Sequence, residues 1–181
     1  YVALSNVGNV STNLAVSKDC LNWERRGIIF RMQNKDVVIF PEKVDNKYVA
    51  FNRPEGNFQF SPPKIWISFS EDLKLWGNSR PVVLSTKGHW DYSRVGAGAP
   101  PLKTEKGWLL IYHGVTEHHK KPRGVEEFMK KFFGKSGEEF HVTYSIGAAL
   151  FDFKDPGKLI AKTPHPIIFR MKKYEREGFV N

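Results

Sequence analysis

The sequence contains one cysteine and three methionines in 181 residues. Cys20 alone cannot close an internal disulfide, which excludes a disulfide-stapled scaffold and agrees with a reducing compartment. No apolar run approaches the roughly 18 residues that a membrane helix needs, so no membrane partner is expected. The chain opens on Tyr1-Val-Ala-Leu4, with neither Met nor a basic and then apolar leader. No secretory signal is read there, and the cytoplasm is the expected location. Catalytic signatures are scarce too. The six histidines form no His-Glu-x-x-His, and His118 and His119 are adjacent, so they point apart. No metal is expected. A Gly-x-Ser-x-Gly elbow is absent, and Cys20 lies in no catalytic signature.

What is present supports a folded domain. Hydrophobic residues make up 40% and aromatic residues 14% of the chain, enough for one core over residues 1–181 and too much for disorder. The net charge is +9, which favours anionic partners or a solvated basic surface. Part of the excess is local, in His118-His-Lys-Lys-Pro-Arg123 and Lys130-Lys131. Neither an RNP-like aromatic pattern nor zinc-finger spacing accompanies it, so nucleic acid is not an expected partner.

Internal repeats organise the rest. Tyr1-Val-Ala-Leu-Ser-Asn6, Tyr48-Val-Ala-Phe-Asn-Arg53 and Trp108-Leu-Leu-Ile-Tyr-His113 each run from an aromatic residue through an apolar stretch to a polar end. Turn formers precede the last two, Asp45-Asn-Lys47 and Thr104-Glu-Lys-Gly107, as hairpins require. A second ladder interleaves: Leu14 to Asp19 with Trp23 matches Ile67 to Asp72 with Trp76, both pairs 53 residues apart. Strand-like ends follow at Gly27-Ile-Ile-Phe30, Pro81-Val-Val-Leu84 and Pro166-Ile-Ile-Phe169. A unit of about fifty residues with several short strands is the signature of a β-propeller blade. The chain holds roughly three such units, fewer than the four or more that close a propeller, so further blades are expected on both sides. A β-sandwich is the alternative. The third unit is delayed by an insertion over 116–143. There Val125, Phe128, Met129, Phe132 and Phe133 recur at helical spacing and predict an amphipathic helix.

Register suggests a site. Asn6, Arg53 and His113 hold the same position in successive units, and equivalent positions in a propeller converge toward its axis. An Arg and a His meeting there would bind an anion through charge-assisted hydrogen bonds. A structural ion pair for Arg53 and a backbone-bonded imidazole for His113 are the alternatives. Arg94 leads a glycine-rich stretch, Arg94-Val-Gly-Ala-Gly-Ala-Pro-Pro101, read as a turn that lets a ligand approach the backbone. Asp36, Glu42, Asp91 and Asp152 are the carboxylates available for sugar chemistry. Asp36 stands at the entrance of the apolar run Val37-Val-Ile-Phe40.

These segments resemble glycoside hydrolase family 130, the β-mannoside phosphorylases and related mannosidases. The resemblance is carried by Asn34-Lys-Asp-Val-Val-Ile-Phe-Pro41, Lys47-Tyr-Val-Ala-Phe-Asn-Arg-Pro54 and Ile65 to Gly77. Arg94 to Lys103 with Gly107 to Val115 is the most specific match. Tyr144 to Asp152, Asp155-Pro156 and Tyr174-Glu175 complete it. It implies an all-β, five-bladed β-propeller, of which this chain supplies roughly the middle three blades. It also implies cleavage of β-mannosidic bonds by inorganic phosphate with inversion, giving α-mannose 1-phosphate. Phosphate is then a co-substrate, and no cofactor is expected. His113 matches a phosphate-binding histidine, and Arg94 stands where many members carry a phosphate-binding Lys. Arg53 lies in the segment resembling the family's His-Arg-Pro, here Asn52-Arg53-Pro54. Asp36 and Tyr112 complete the candidate set as substrate contacts. The family's general acid, an Asp in an Asp-Pro-Arg motif, is expected upstream of Tyr1, so the catalytic residue is not assigned within the chain and the chain alone is expected to lack a complete site. An inverting β-mannosidase and a non-catalytic carbohydrate-binding propeller are the competing functions. Expected partners are a β-mannoside and phosphate, with homo-oligomerisation left open.

Overall fold

The computed structural model describes residues 2–4, 10–31, 33–55, 63–82, 85, 87–119, 140–172 and 175. Among them the secondary structure is almost all β, with no α-helix. No helix among the described residues is long and apolar enough to cross a membrane. Three antiparallel meanders follow one another. The first holds β1 (Val2–Leu4), β2 (Val10–Val16) and β3 (Glu24–Phe30). The second holds β4 (Asn34–Ile39), β5 (Tyr48–Pro54), β6 (Trp66–Ser70) and β7 (Gly77–Pro81), paired in that order.

The third comprises β8 (Arg94–Ala97), β9 (Leu102–Thr104), β10 (Gly107–His119), β11 (Phe140–Phe151), β12 (Leu159–Lys162) and β13 (Ile168–Phe169). Its six strands make four rows. β8 and β9 share one edge of β10, at Tyr112 to Val115 and at Gly107 to Leu109. β12 and β13 likewise share one edge of β11. Pro100 and Pro101 interrupt the first edge row, and Pro164 and Pro166 the second, because proline has no N–H to give to a ladder.

The repeats read from the sequence correspond to structural positions. Tyr48 to Arg53 and Trp108 to His113 lie in β5 and β10, each the second row of its sheet. Asp45 and Asn46 both have positive φ, 49° and 63°, and Val44 and Lys47 exchange two backbone hydrogen bonds of 3.0 Å across them. This is a two-residue primed turn, and Asp and Asn tolerate its left-handed backbone.

The second ladder is a hairpin device. Asp19 Oδ1 accepts the N–H groups of Leu21 (2.9 Å) and Asn22 (2.8 Å), and Asp72 Oδ1 those of Lys74 and Leu75 (2.8 Å each). The indole N–H of Trp23 donates to the Cys20 carbonyl, and that of Trp76 to the Leu73 carbonyl. Cys20 and Leu73 sit at positive φ in matching places. The backbone N–H donors hold both carboxyls below their ordinary range.

The middle sheet is covered on both faces, which explains the unbroken apolar run of β5. Val49 and Phe51 pack toward the third sheet with Phe40, Trp108, Leu110 and Phe151. Ala50, one residue out of phase, packs with Ile29 and Phe30 of the first sheet.

The insertion begins and ends as strand. Thr116 pairs with Thr143, and the β10–β11 ladder continues to His119 and Phe140. The helix expected around residues 125–133 lies outside the described residues.

Gly107 closes the β9–β10 turn at φ +143°, and a Cβ there would run into the Phe151 carbonyl oxygen. Gly107→Ala is therefore expected to destabilise the fold by more than about 1 kcal/mol. Urea unfolding checks this, with an unchanged midpoint as the contrary result.

Candidate active site

A charged cluster forms where β4 and β5 meet β8 and β10. It starts from an irregularity in β4. The β4–β5 register jumps between Lys35 and Val38, so the strand bulges and re-aims its side chains. Asp36 lies in the bulge at φ 53°, a left-handed conformation that Asp adopts more readily than most residues. Its Oδ2 comes to 2.5 Å from Arg53 Nη1 and 3.6 Å from His113 Nε2.

Arg53 follows Phe51 by two residues on the same face of β5, which carries it toward the third sheet. It is only 3% exposed. Nε and Nη2 both contact Glu55 Oε1 at 2.6 Å, and Nη1 lies 3.3 Å from His113 Nε2. Lys35 Nζ is 3.5 Å from the same Glu55 oxygen. Asn52, beside Arg53, points into a polar ladder. It accepts from Asn34 Nδ2 (3.0 Å) and donates to Ser68 Oγ (2.8 Å), which contacts Ser79 Oγ (2.8 Å).

His113 pairs with Gly96, and Val115 with Arg94. Directly opposed residues share a face, as do positions i and i+2, so Arg94, Gly96 and His113 lie on one face of the β8–β10 pair. A Cβ on Gly96 would fall 2.5 Å from His113 Cε1 and 2.7 Å from Arg53 Nη1, and closer still to Asp36 Oδ2. The three side chains converge over the only residue type that leaves them room.

Burial is the main cause holding the His113 pKa below its ordinary value. The charges of Arg53, Arg94 and Lys35 act in the same direction, and Asp36 opposes them. The ring is therefore neutral near pH 7. A guanidinium only donates, so a hydrogen bond from Arg53 Nη1 requires Nε2 to accept, which is the tautomer with the ring proton on Nδ1. Lys35, Arg53 and Arg94 against Asp36 and Glu55 leave one formal positive charge. This surplus, a single ring donor and a partly open face suit an anion.

The cluster thus unites Asp36, Arg53 and His113, with Arg94 on the shared face. Asn6, the counterpart of Arg53 in the first unit, lies outside the described residues. Tyr112 does not join them. Strand alternation turns it opposite to His113, into the core, where it is 1% exposed and stacks on Trp90. Its hydroxyl donates to Asp91 Oδ2 at 2.9 Å, and burial first, then the Asp91 charge, pushes its pKa up. The expectation of a substrate contact at Tyr112 is corrected accordingly. Asp91 is fully buried and also receives Lys162 Nζ at 3.0 Å. Glu42 pairs with Lys103 on the surface, and Asp152 caps the β11–β12 turn through the N–H groups of Lys154 and Asp155. Of the four carboxylates named from sequence, only Asp36 reaches the cluster. The stretch from Arg94 to Ala97, expected to be a turn, is strand β8. The sequence pattern does not single out Glu55; its one signal is an acid two residues from Arg53 in an extended segment. Among the described residues no group of three or more His, Cys, Asp or Glu side chains could hold a metal.

A family profile described as β-1,4-mannooligosaccharide phosphorylase matches residues 1–181. The β-1,2-mannobiose phosphorylase of Listeria innocua is 38% identical over 183 residues, covering 99% of this chain and 43% of that protein. A 1,2-β-oligomannan phosphorylase of Thermoanaerobacter sp. is 36% identical over 167 residues, 92% of this chain and 46% of its own length. The solved structure of the Listeria innocua enzyme in complex with β-1,2-mannobiose superposes with a TM-score of 0.78 at 37% identity, over 98% of this chain and 43% of that one. The chain spans less than half the length of these curated relatives.

Proposed function

We propose, because the chain belongs to glycoside hydrolase family 130, that it carries the anion-binding part of a β-mannoside phosphorylase. The reaction is cleavage of a β-mannosidic bond by inorganic phosphate with inversion. A phosphate oxygen attacks the anomeric carbon, the glycosidic C–O bond breaks, and α-mannose 1-phosphate forms. The observation that carries this reading is the convergence of Arg53 and His113 beside Arg94, from two sheets, over Gly96. Phosphate is itself the nucleophile, so the protein needs to hold and orient a dianion rather than to supply a base.

The roles divide by exposure. His113 is partly open and offers its Nδ1–H, and Arg94 adds charge on the same face. Arg53 is buried and paired with Glu55 and Asp36, so it acts from behind, holding the imidazole. Asp36 is partly open and able to accept a sugar hydroxyl. Asp36 and Glu55 are both ion-paired with Arg53, and the proton for the leaving oxygen is assigned to a group outside the cluster. The three meanders are read as successive blades of a five-bladed propeller, with the cluster toward its axis. The single exposed cysteine fits a cytoplasmic enzyme.

The test is phosphate dependence. The protein in its complete natural form is incubated with β-1,2- and β-1,4-mannobiose, with and without inorganic phosphate. Mannose 1-phosphate is expected only when phosphate is present. Equal release of free mannose in both samples would replace the phosphorylase by an inverting mannosidase.

A further inference from the structure

Glu55 has no direct part in the proposed reaction, yet it is a carboxylate only 8% exposed. An acid is rarely placed there without a partner. Its backbone N–H is fixed by the Gln33 carbonyl at 2.5 Å, and its Oε1 takes both the Nε–H and Nη2–H edges of Arg53. A planar guanidinium held along that edge can aim Nη1 in one direction only. That direction leads to His113 Nε2 and Asp36 Oδ2.

We propose that Glu55 is a positioning residue that, through Arg53, locks His113 as the Nδ1–H tautomer. The lock matters because a neutral imidazole has one donor and one acceptor nitrogen. With Nε2 committed to Arg53, the remaining edge donates and can bind an anion. In the other tautomer that edge would present a lone pair to phosphate oxygens and repel them. The groups around the ring are consistent with this. Asp36, Arg53, Arg94 and Lys35 act on it electrostatically, and Tyr144 lies 5.8 Å away between ring centroids. Arg53 Nη1 is within hydrogen-bond distance of Nε2 at 3.3 Å, whereas the acceptor Asp36 Oδ2, at 3.6 Å, is not. The consequence for phosphate rests on the phosphorylase reading, whereas the tautomer does not.

The experiment measures the His113 ring nitrogens by NMR in the wild-type protein and in Glu55→Gln, which keeps the shape and removes the charge. Phosphorolysis is followed with phosphate varied at saturating sugar. Wild type is expected as Nδ1–H. Glu55→Gln is expected to show mixed tautomers and a phosphate KM raised about tenfold, the loss of roughly one charge-assisted hydrogen bond, with kcat within about twofold. Should Glu55→Gln not fold, Glu55→Asp, which keeps the charge but retracts the oxygen, is read the same way. A wild-type ring protonated at Nε2, or a folded variant with an unchanged tautomer, overturns the proposal. A tautomer that shifts in a protein indifferent to phosphate upholds Glu55 as positioning residue and removes the anion instead.

Discussion

Gly96→Ala is expected to lower phosphate-dependent kcat/KM by about a hundredfold, the scale set by displacing reacting groups by about 1 Å, while the fold stays nearly as stable. The new methyl group would collide with Asp36 Oδ2, His113 Cε1 and Arg53 Nη1 at once. All three atoms lie near the ends of side chains, so the cluster can give way without moving a strand. Function and stability therefore separate at this position. Phosphorolysis kinetics together with a thermal melt read both quantities. A folded variant with wild-type kinetics would show that the cluster takes no part in the reaction. Gly107 is the counter-case, because the group that its Cβ would strike is the backbone carbonyl of Phe151.

Phe51→Ala is expected to destabilise the protein by about 3–5 kcal/mol, the range for removing a fully buried aromatic side chain. Phe51 is inaccessible to solvent, and its ring lies 5.0 Å from Phe40 and 5.0 Å from Phe151. Those partners belong to its own sheet and to the next one, so the truncation opens a cavity in the joint between sheets. A loss this large is a substantial part of the stability of an ordinary domain. Guanidinium unfolding measures it. A loss below about 1 kcal/mol would mean that the two sheets close around the void and that the joint is not tightly packed.

Local rules are legible in the sequence. The shared phase of Tyr48 to Arg53 and Trp108 to His113 identified two strands that take the same row in successive sheets. Asp45-Asn46 announced a tight hairpin, because these residue types accept positive φ at little cost. The matched spacing of Asp19 and Trp23 with Asp72 and Trp76 marked two turns that share one hydrogen-bonding scheme. The resemblance of these segments to glycoside hydrolase family 130 rests on the same linear information.

The cluster was legible only in part. Equivalent register pointed to Arg53 and His113, but not to how they are used. That Arg53 is buried between two carboxylates follows from a bulge in β4, which brings Asp36 around to a strand it precedes in sequence. Tyr112 stands next to His113 in the chain and opposite to it in space, and the side of the strand that faced the core became known only once the third sheet was seated against the second. Gly96 read as a backbone allowance for a ligand, and its place in the structure is to leave space for three side chains from three other strands. The linear sequence carries the repeated strands β5 and β10, the Asp45-Asn46 hairpin and the family resemblance, but not strand β8, because hydrogen-bonding period and turn chemistry act over a few residues. Tertiary structure decided which charges meet, because residues 36, 53, 96 and 113 are brought within a few ångströms by bulge, alternation and sheet packing, none of which acts over a short stretch of chain.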